Sequence, residues 1–535
     1  MALARTRSVT LVGVAGHVVE VEADIGVGVP GTVLVGLPDA AVCEARDRVR
    51  AAIVNSGRDW PQRKITLGLS PASLPKRGSS FDLALAVAIL AAAGVVPADR
   101  VADAVLLGEL GLDGRVRGVR GVLPSVLAAV DAGHDLVIVP SPNGAEAALV
   151  PGVTVVAVAH LRHLVAFLRG EIGEDELAEL AADARDVHPV QPRNPEGREL
   201  PVRTSGGTEG TTGEALGGDL ADVRGQGEAR YAVEVSAAGG HHLLLHGAPG
   251  TGKSMLAMRL PGLLPRLSRS DALEVTAIHS VAGTLAGDTP LMEHAPFQDP
   301  HHTATVPAVL GGGTSAVRPG AVSLAHRGVL LLDEAPEFAM PVLEGLRQPM
   351  ERGSIVVARA GASIRFPARF QLVLTANPCP CGLGTGGGAD CRCTPMQRRR
   401  YASRLSGPVL DRVDIRQAVV APSRAALATD VPEGSAAVRA RVTQARDRQR
   451  RRFAGTPWTC NGDIPGPLLR KEFPPDVAAL ALVEEQLRRG ALTGRGADRS
   501  IRVAWSVADL RGVDRPTLTE MHIALGLRGA SMVAA

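Results

Sequence analysis

Aromatic side chains are scarce here: phenylalanine, tryptophan and tyrosine together make up 2% of 535 residues. So few rings exclude the stacked-base platforms on which single-strand nucleic-acid binders rely. A bilayer-length apolar run is missing too. The longest, residues 83–96, holds about 14 residues between Asp82 and Pro97, which suits a buried helix better than a membrane span of about 20. Charge of one sign is absent in the mean, because 58 Lys and Arg against 55 Asp and Glu leave a formal charge of +3. That balance excludes a polycation but not a local basic channel. The six cysteines are too few for a disulfide scaffold in so long a chain. The apolar N-terminal stretch meets Glu20, Glu22 and Asp24 early and offers no cleavage site, so no secretory leader is expected. A cytoplasmic protein without membrane contact is the expectation.

What is present organises into blocks. The length corresponds to about three or four domains, and 45% hydrophobic residues can fill several cores. Residues 1–170 alternate short β-like runs, such as Lys64-Ile-Thr-Leu-Gly-Leu, with Ala-rich helical stretches, which predicts an α/β domain. Residues 171–218 are acidic and then rich in Pro, Gly, Thr and Glu, the composition of a flexible linker. A strand–loop–helix pattern occupies 219–420, and 421–535 is helical and Arg-rich, predicting a smaller helical domain. No internal repeat is visible.

The strongest local signal is Gly247-Ala248-Pro249-Gly250-Thr251-Gly252-Lys253-Ser254, a phosphate-binding loop between a predicted strand and a predicted helix. Glycines let backbone N–H groups curl around phosphates, the helix start adds positive potential, and Lys253 reaches the β- and γ-phosphates. Ser254 supplies a hydroxyl for Mg²⁺. A second motif separates hydrolysis from mere binding. Gly328-Val-Leu-Leu-Leu-Asp333-Glu334 reads as a buried parallel strand ending in two carboxylates. Asp333 is expected to support Mg²⁺ and Glu334 to activate the attacking water, with Glu337 left structural. Phe370-Gln-Leu-Val-Leu-Thr-Ala-Asn377 is a further buried strand whose terminal amide suits a sensor of that water.

Two arginines are candidates for stabilising transition-state charge. Arg412, with Arg404 as its competitor, would act as a finger into a neighbouring subunit, and Arg495, at a predicted helix start, would reach the γ-phosphate of its own chain. Surface ion pairing is the alternative for both. Cys379-Pro-Cys381 and Cys391-Arg-Cys393 leave two readings open. Four thiolates can hold Zn²⁺ tetrahedrally, but one-residue spacing within each pair is tighter than usual, and four reduced loop thiols fit as well. Arginines at 398–400, and at 439, 441, 446, 448 and 450–452, fit either phosphate contacts or solvated helix faces. His301 and His302 are read as channel or structural residues.

Together these motifs resemble those of the YifB/ComM family of magnesium-chelatase-like AAA+ ATPases, over nearly the whole chain. Asp219-Leu-Ala-Asp-Val-Arg-Gly-Gln226 is similar to the family's entry motif, which puts Gln226 near the adenine. Asp299-Pro-His301-His302, Arg318-Pro-Gly-Ala-Val-Ser-Leu-Ala-His326 and Leu343-Glu-Gly-Leu-Arg-Gln-Pro-Met-Glu351 follow in the family's order. Ile355 to Phe366 reads as the hairpin that relatives direct into a ring channel, so Arg359 and Arg365 become DNA-contact candidates by analogy. The N-terminal block, with Val33-Leu-Val-Gly-Leu-Pro-Asp, resembles a Lon-protease/ribosomal-S5-like domain. Ser80 falls where protease members carry a nucleophile, but the helix expected to supply a lysine base has none, so a non-catalytic domain is expected. The resemblance implies an α/β P-loop AAA+ core with a C-terminal helical lid, ATP and Mg²⁺ as cofactors, a homo-hexamer and DNA as partner. The implied activity is a helicase promoting branch migration. The alternative is an ATPase of the magnesium-chelatase-I or MoxR kind that remodels a protein partner.

Overall fold

In the computed structural model of the chain, residues 2–36, 39–76, 78–183, 218–285, 291–313, 317–359, 362–384, 391–405 and 407–529 are described. They divide into two compact units, one of Met1–Gly206 with Thr276–Met292, the other of Gly207–Val275 with Glu293–Ala535. No helix among the described residues is long and apolar enough to cross a membrane.

The first unit is built on a seven-stranded mixed sheet. Its strands are β1 (Ala2–Val12), β2 (Ala15–Gly26), β3 (Gly31–Val35), β4 (Lys64–Ser70), β5 (Val105–Leu106), β8 (Leu136–Pro140) and β9 (Thr154–Val158), in the order β3-β4-β2-β1-β5-β8-β9. A small hairpin of β6 (Glu109–Leu110) and β7 (Val116–Arg117) stands apart. Alternation fixes the register of the sheet. Val19, Val21, Ala23 and Ile25 of β2 are buried, and Val21 and Ile25 face Leu69 and Ile65 of β4. A one-residue slip would turn that whole set to water. Helix Asp82–Ala92 is buried at every position, as its apolar run predicts.

Two polar features close this unit. The buried Asp82 carboxylate is gripped by Arg48, Nε to Oδ2 at 2.8 Å and Nη2 to Oδ1 at 3.0 Å, and takes the Leu110 N–H at 3.2 Å. Burial still holds the Asp82 pKa above the ordinary carboxylate value, with Arg48 opposing. Residues Thr276–Met292 add to the same unit, where the Ser280 carbonyl accepts from Gly121 N–H at 3.2 Å and its hydroxyl donates to Glu146. Ser80 lies in the turn Ser79–Phe81. The buried Lys76 ammonium donates to the Pro71 carbonyl, and helix Val122–Asp131 contains no lysine. The acidic start of the expected linker is instead helix Glu174–Asp183, seated by Leu177 and Ala181, because its apolar residues recur at helical spacing. The Pro- and Gly-rich remainder, 184–217, lies outside the described residues.

The second unit centres on five parallel strands: β10 (Leu243–His246), β11 (Phe297–Gln298), β12 (Val329–Leu332), β15 (Gln371–Ala376) and β16 (Ile415–Ala418). Their order is β11-β12-β15-β10-β16. Every residue of β12 and β15 is buried, as continuous apolar runs in a parallel sheet should be. β13 (Ser354–Arg359) and β14 (Ala362–Pro367) form the expected antiparallel hairpin, with Val357 opposite Ile364. The C-terminal helices, among them Ser435–Arg452 and Gly494–Arg511, share one apolar core with the sheet, in which Val438, Val442 and Trp505 join Leu243, Leu245 and Val373.

The Arg48–Asp82 pair yields a test of the first unit. Removing the cation in Arg48→Ala leaves a carboxylate buried without its partner, and the lowest-temperature unfolding transition should lose about 3 kcal/mol or more. Thermal melts followed by circular dichroism measure this; an unchanged transition would mean that Asp82 is satisfied without Arg48.

Candidate nucleotide site

Ligands bind open parallel sheets at the carboxyl ends of the strands. In the second unit that edge carries the sequence-predicted motifs side by side. β10 runs into Gly247, whose N–H donates to the Ala376 carbonyl at the end of β15 at 3.2 Å. A Cβ at Gly247 would overlap the Val419 carbonyl, so only glycine lets β10 pass into the loop there. Gly250 and Gly252 take φ of +74° and +88°, the left-handed turns that curl the loop.

Lys253 opens helix Lys253–Arg259 and turns its ammonium back into the loop. It donates to the carbonyls of Gly247 at 2.9 Å and Ala248 at 2.8 Å, and to Asn377 Oδ1 at 3.0 Å. Its three protons are thereby met, and a strand-end amide is tied to the phosphate loop. Burial lowers the Lys253 pKa, against the attraction of Asp333 and Glu334. The Thr251 hydroxyl holds the Ala248 carbonyl at 2.8 Å. Gln226, buried, donates through Nε2 to the Thr251 carbonyl, and its Oε1 has no partner among the described residues. An orphaned acceptor beside the loop fits a donor from a bound ligand, such as the amino group of an adenine.

The acids sit opposite. Asp333 Oδ1 accepts from Ser254 Oγ at 2.8 Å and from Thr375 Oγ1 at 2.6 Å. Thr375 Oγ1 in turn accepts the Glu334 N–H at 2.8 Å. One hydroxyl on β15 thus fixes both acids at the end of β12. Glu334 is in the left-handed region, φ +53°, a conformation held at a cost of order 1 kcal/mol or more and typical of functional positions. Ser254 and Asp333 are hard oxygen donors only 2.8 Å apart, a set suited to Mg²⁺.

Thr375 escaped the sequence reading; a hydroxyl following the apolar run Leu372-Val-Leu374, two residues before Asn377, was its signal. So did Tyr401, one of two tyrosines in the chain, which lies buried within the arginine run of helix Pro395–Arg404. Burial pushes its pKa up to about 12, with Glu337 and Glu334 adding to the rise, and the Asn377 backbone hydrogen-bonds it.

Other expected residues are not brought to this site. Arg412 donates to the Pro408 carbonyl and pairs with Glu351, while Arg495 lies 4.0 Å from Asp411. Both line a cleft of about 960 Å³, which no phosphate-loop residue lines. The helix that carries Arg495 begins beside the Asp411–Asp414 loop. Asp414 anchors that loop: burial would raise its pKa, but Arg499, His241 and His242 hold it well below the carboxylate range. Arg404 lies 3.6 Å from Glu337.

Arg365 is exposed on β14 between the buried Ile364 and Phe366; the side chain of Arg359 lies outside the described residues. The second basic run is largely consumed within the fold. Arg439 donates to the Gly262 carbonyl, Arg446 to Ala237, Arg448 to Asp509, and Arg441 grips Glu234, so these cations stitch helix Ser435–Arg452 to its neighbours. The His301 and His302 rings stack at 4.1 Å, and the metal-capable cluster among the described residues contains neither.

That cluster is Cys379, Cys381, Cys391 and Cys393, whose sulfurs all lie within 4.8 Å of one another. Cys379 is 3.3 Å from Cys381 and 3.6 Å from Cys391, and Cys381 is 3.6 Å from Cys391. A tetrahedron with metal–sulfur bonds of about 2.3 Å has edges of about 3.8 Å. The separations among Cys379, Cys381 and Cys391 lie close to that figure, Cys393 completes the set within 4.8 Å, and all exceed the roughly 2 Å of a disulfide.

The chain is similar to known proteins along nearly its whole length. Sequence models of three families match: "Subunit ChlI of Mg-chelatase" over residues 21–143, "Magnesium chelatase, subunit ChlI" over 219–427, and "Magnesium chelatase, subunit ChlI C-terminal" over 432–528. The chain is 50% identical over 528 residues to an uncharacterized protein of Mycobacterium tuberculosis, covering 99% of each. It is 39% identical over 525 residues to protein YifB of Escherichia coli, covering 98% of this chain and 96% of the relative. It is also 39% identical over 534 residues to competence protein ComM of Haemophilus influenzae, covering 99% and 98%.

The bridging hydroxyl can be tested. Thr375→Val frees the Glu334 N–H and removes a donor from Asp333, so kcat for ATP hydrolysis should fall about tenfold or more while Thr375→Ser keeps most of it. Steady-state hydrolysis of both variants decides; a full rate in Thr375→Val would remove Thr375 from the site.

Proposed function

The chain belongs to the YifB/ComM family of magnesium-chelatase-like AAA+ ATPases, and on that premise we propose that it is a ring-forming motor acting on DNA, a helicase that promotes branch migration. The family implies an ATPase that uses ATP and Mg²⁺. The observation that carries the hydrolytic reading is the joined network of Lys253, Asn377, Ser254, Asp333 and Thr375 at the edge of the sheet.

The residues divide the work of hydrolysis. Lys253 exchanges the Gly247 and Ala248 carbonyls for phosphate oxygens, so its charge moves from neutral acceptors to the anion that needs it. Ser254 and Asp333 would hold Mg²⁺, which when bound neutralises charge on the β- and γ-phosphates. Glu334 is held by its own backbone, leaving its carboxylate free to take a proton from the attacking water. Asn377, already hydrogen-bonded to Lys253, orients that water against the γ-phosphate. Charge on the transferring phosphoryl group then calls for an arginine. Arg412 lines a cleft that no residue of its own phosphate loop lines, which supports a ring, a hexamer by family resemblance, in which it serves a neighbour's nucleotide while Arg495 serves its own.

The DNA reading is supported by the Haemophilus influenzae relative, named a competence protein and matched over almost its full length, and by the hairpin presenting Arg365. The match to ChlI sequences favours a second reading, an ATPase that remodels a protein partner. Zn²⁺ is proposed at the four cysteines.

Two measurements follow. Glu334→Gln should bind ATP as the parent does yet retain less than about a tenth of its turnover; a greater rate removes Glu334 as base. On a four-way DNA junction the parent should displace strands with ATP and Lys253→Ala should not. ATPase activity indifferent to DNA, with no displacement, would instead favour the protein-remodelling reading.

A further inference from the structure

The cysteine cluster does not lie on a remote surface. Cys379 follows two residues after Asn377, the amide that holds the Lys253 ammonium, and is itself fully buried. From there the chain turns at Gly382, whose N–H donates to the Cys379 carbonyl at 2.9 Å and whose φ is +77°. A Cβ at Gly382 would overlap Pro249, the third residue of the phosphate loop. The loop bearing the thiols therefore touches the nucleotide pocket twice, through Asn377 on one side and through Pro249 on the other. Helix Pro395–Arg404 begins two residues after Cys393 and carries Tyr401 back against Asn377. Both chain segments leaving the cluster thus reach the same residue, one through its side chain on Lys253 and the other through its backbone on Tyr401.

Nothing in the peptide alone explains why four thiols should converge here. A pair of apolar side chains would pack the loop as well, whereas four sulfurs all within 4.8 Å of one another are a donor set for a thiophilic cation. A metal at the cluster would join the segment after β15 to the segment before helix Pro395–Arg404, and would limit where Asn377 and Gly382 can stand.

We infer that Cys379, Cys381, Cys391 and Cys393 form a binding site for a thiophilic divalent cation, Zn²⁺ by donor type and spacing, whose occupancy switches the ATPase on by clamping the loop that braces Pro249 and Asn377. The cation is a brace and takes no part in the chemistry at phosphorus. The switch rests on the nucleotide-site reading given above.

The full-length chain, purified without chelator, supplies the test. Elemental analysis should find about one zinc per chain, and less than about 0.2 overturns the site and the switch with it. Stripping with a chelator selective for zinc over Mg²⁺ should lower kcat for ATP about tenfold or more, restored by Zn²⁺ alone. Amide hydrogen exchange at residues 247–254, read without nucleotide, should speed up about tenfold on stripping. Unchanged exchange together with undiminished turnover in zinc-free protein overturns the switch while leaving the metal site in place. Faster exchange in a protein that hydrolyses no ATP even when loaded sinks the nucleotide-site reading and keeps the clamp. As a variant with all four thiols intact, Gly382→Ala should retain its zinc and still lose about tenfold in kcat, since its methyl group displaces Pro249; parental kcat in that variant also overturns the switch.

Discussion

Burying an ammonium costs several kcal/mol unless all its protons find acceptors, and in this chain the Lys253 ammonium finds three. Two are carbonyls of its own loop and the third is the side chain of Asn377, from another strand. That arrangement keeps the phosphate loop in its curled form and holds the end of β15 against the end of β10. From β15 the constraint passes through Thr375 to Asp333 and Glu334, and through residues 378–382 to Pro249. A pocket held this way is preorganised: most of its side chains need no ordering when an anion arrives, and the strained backbone of Glu334 is maintained by its neighbours.

Much of this was legible in the sequence because parallel strands are short apolar runs that end abruptly at their functional residues. β10 ends at Gly247, β12 at Asp333 and Glu334, and β15 at Asn377, so the motif and the strand end announce each other. Thr375 was not legible. Its β-branched side chain fits a strand on propensity alone, and only the three-dimensional adjacency of β12 and β15 gives its hydroxyl two partners. Tyr401 was hidden by arginines on either side, which made its helix read as surface, although one face of that helix is buried by the single ring.

The basic residues were the least legible, since charge in a sequence does not say what it meets. The arginines of helix Ser435–Arg452 looked available for phosphate, yet Arg446 ends on the Ala237 carbonyl near the C-terminus of helix Gly227–Gly239 and Arg439 on the Gly262 carbonyl. Carbonyls at a helix C-terminus lack partners within the helix and carry its negative end, so a guanidinium satisfies both at once. Arg412 and Arg495 were legible as functional candidates from their neighbours in sequence. The company they keep, with Asp411, Glu351 and the Asp414–Arg499 pair, depends on loops that converge only in the fold.

The grouping of Thr276–Met292 with the N-terminal unit bears on how the chain emerges from the ribosome. Domains made from one continuous stretch can fold as soon as that stretch is synthesised. Here the Gly121 amide, and the Glu146 carboxylate beside its bonds from Leu123 and Asn143, are met by Ser280, which is translated only after the phosphate loop. Those contacts of the first unit are therefore completed only after the opening strand and loop of the second are made. A stop in translation between the two motifs would leave a truncated product in which Glu146 lacks the hydroxyl that meets it.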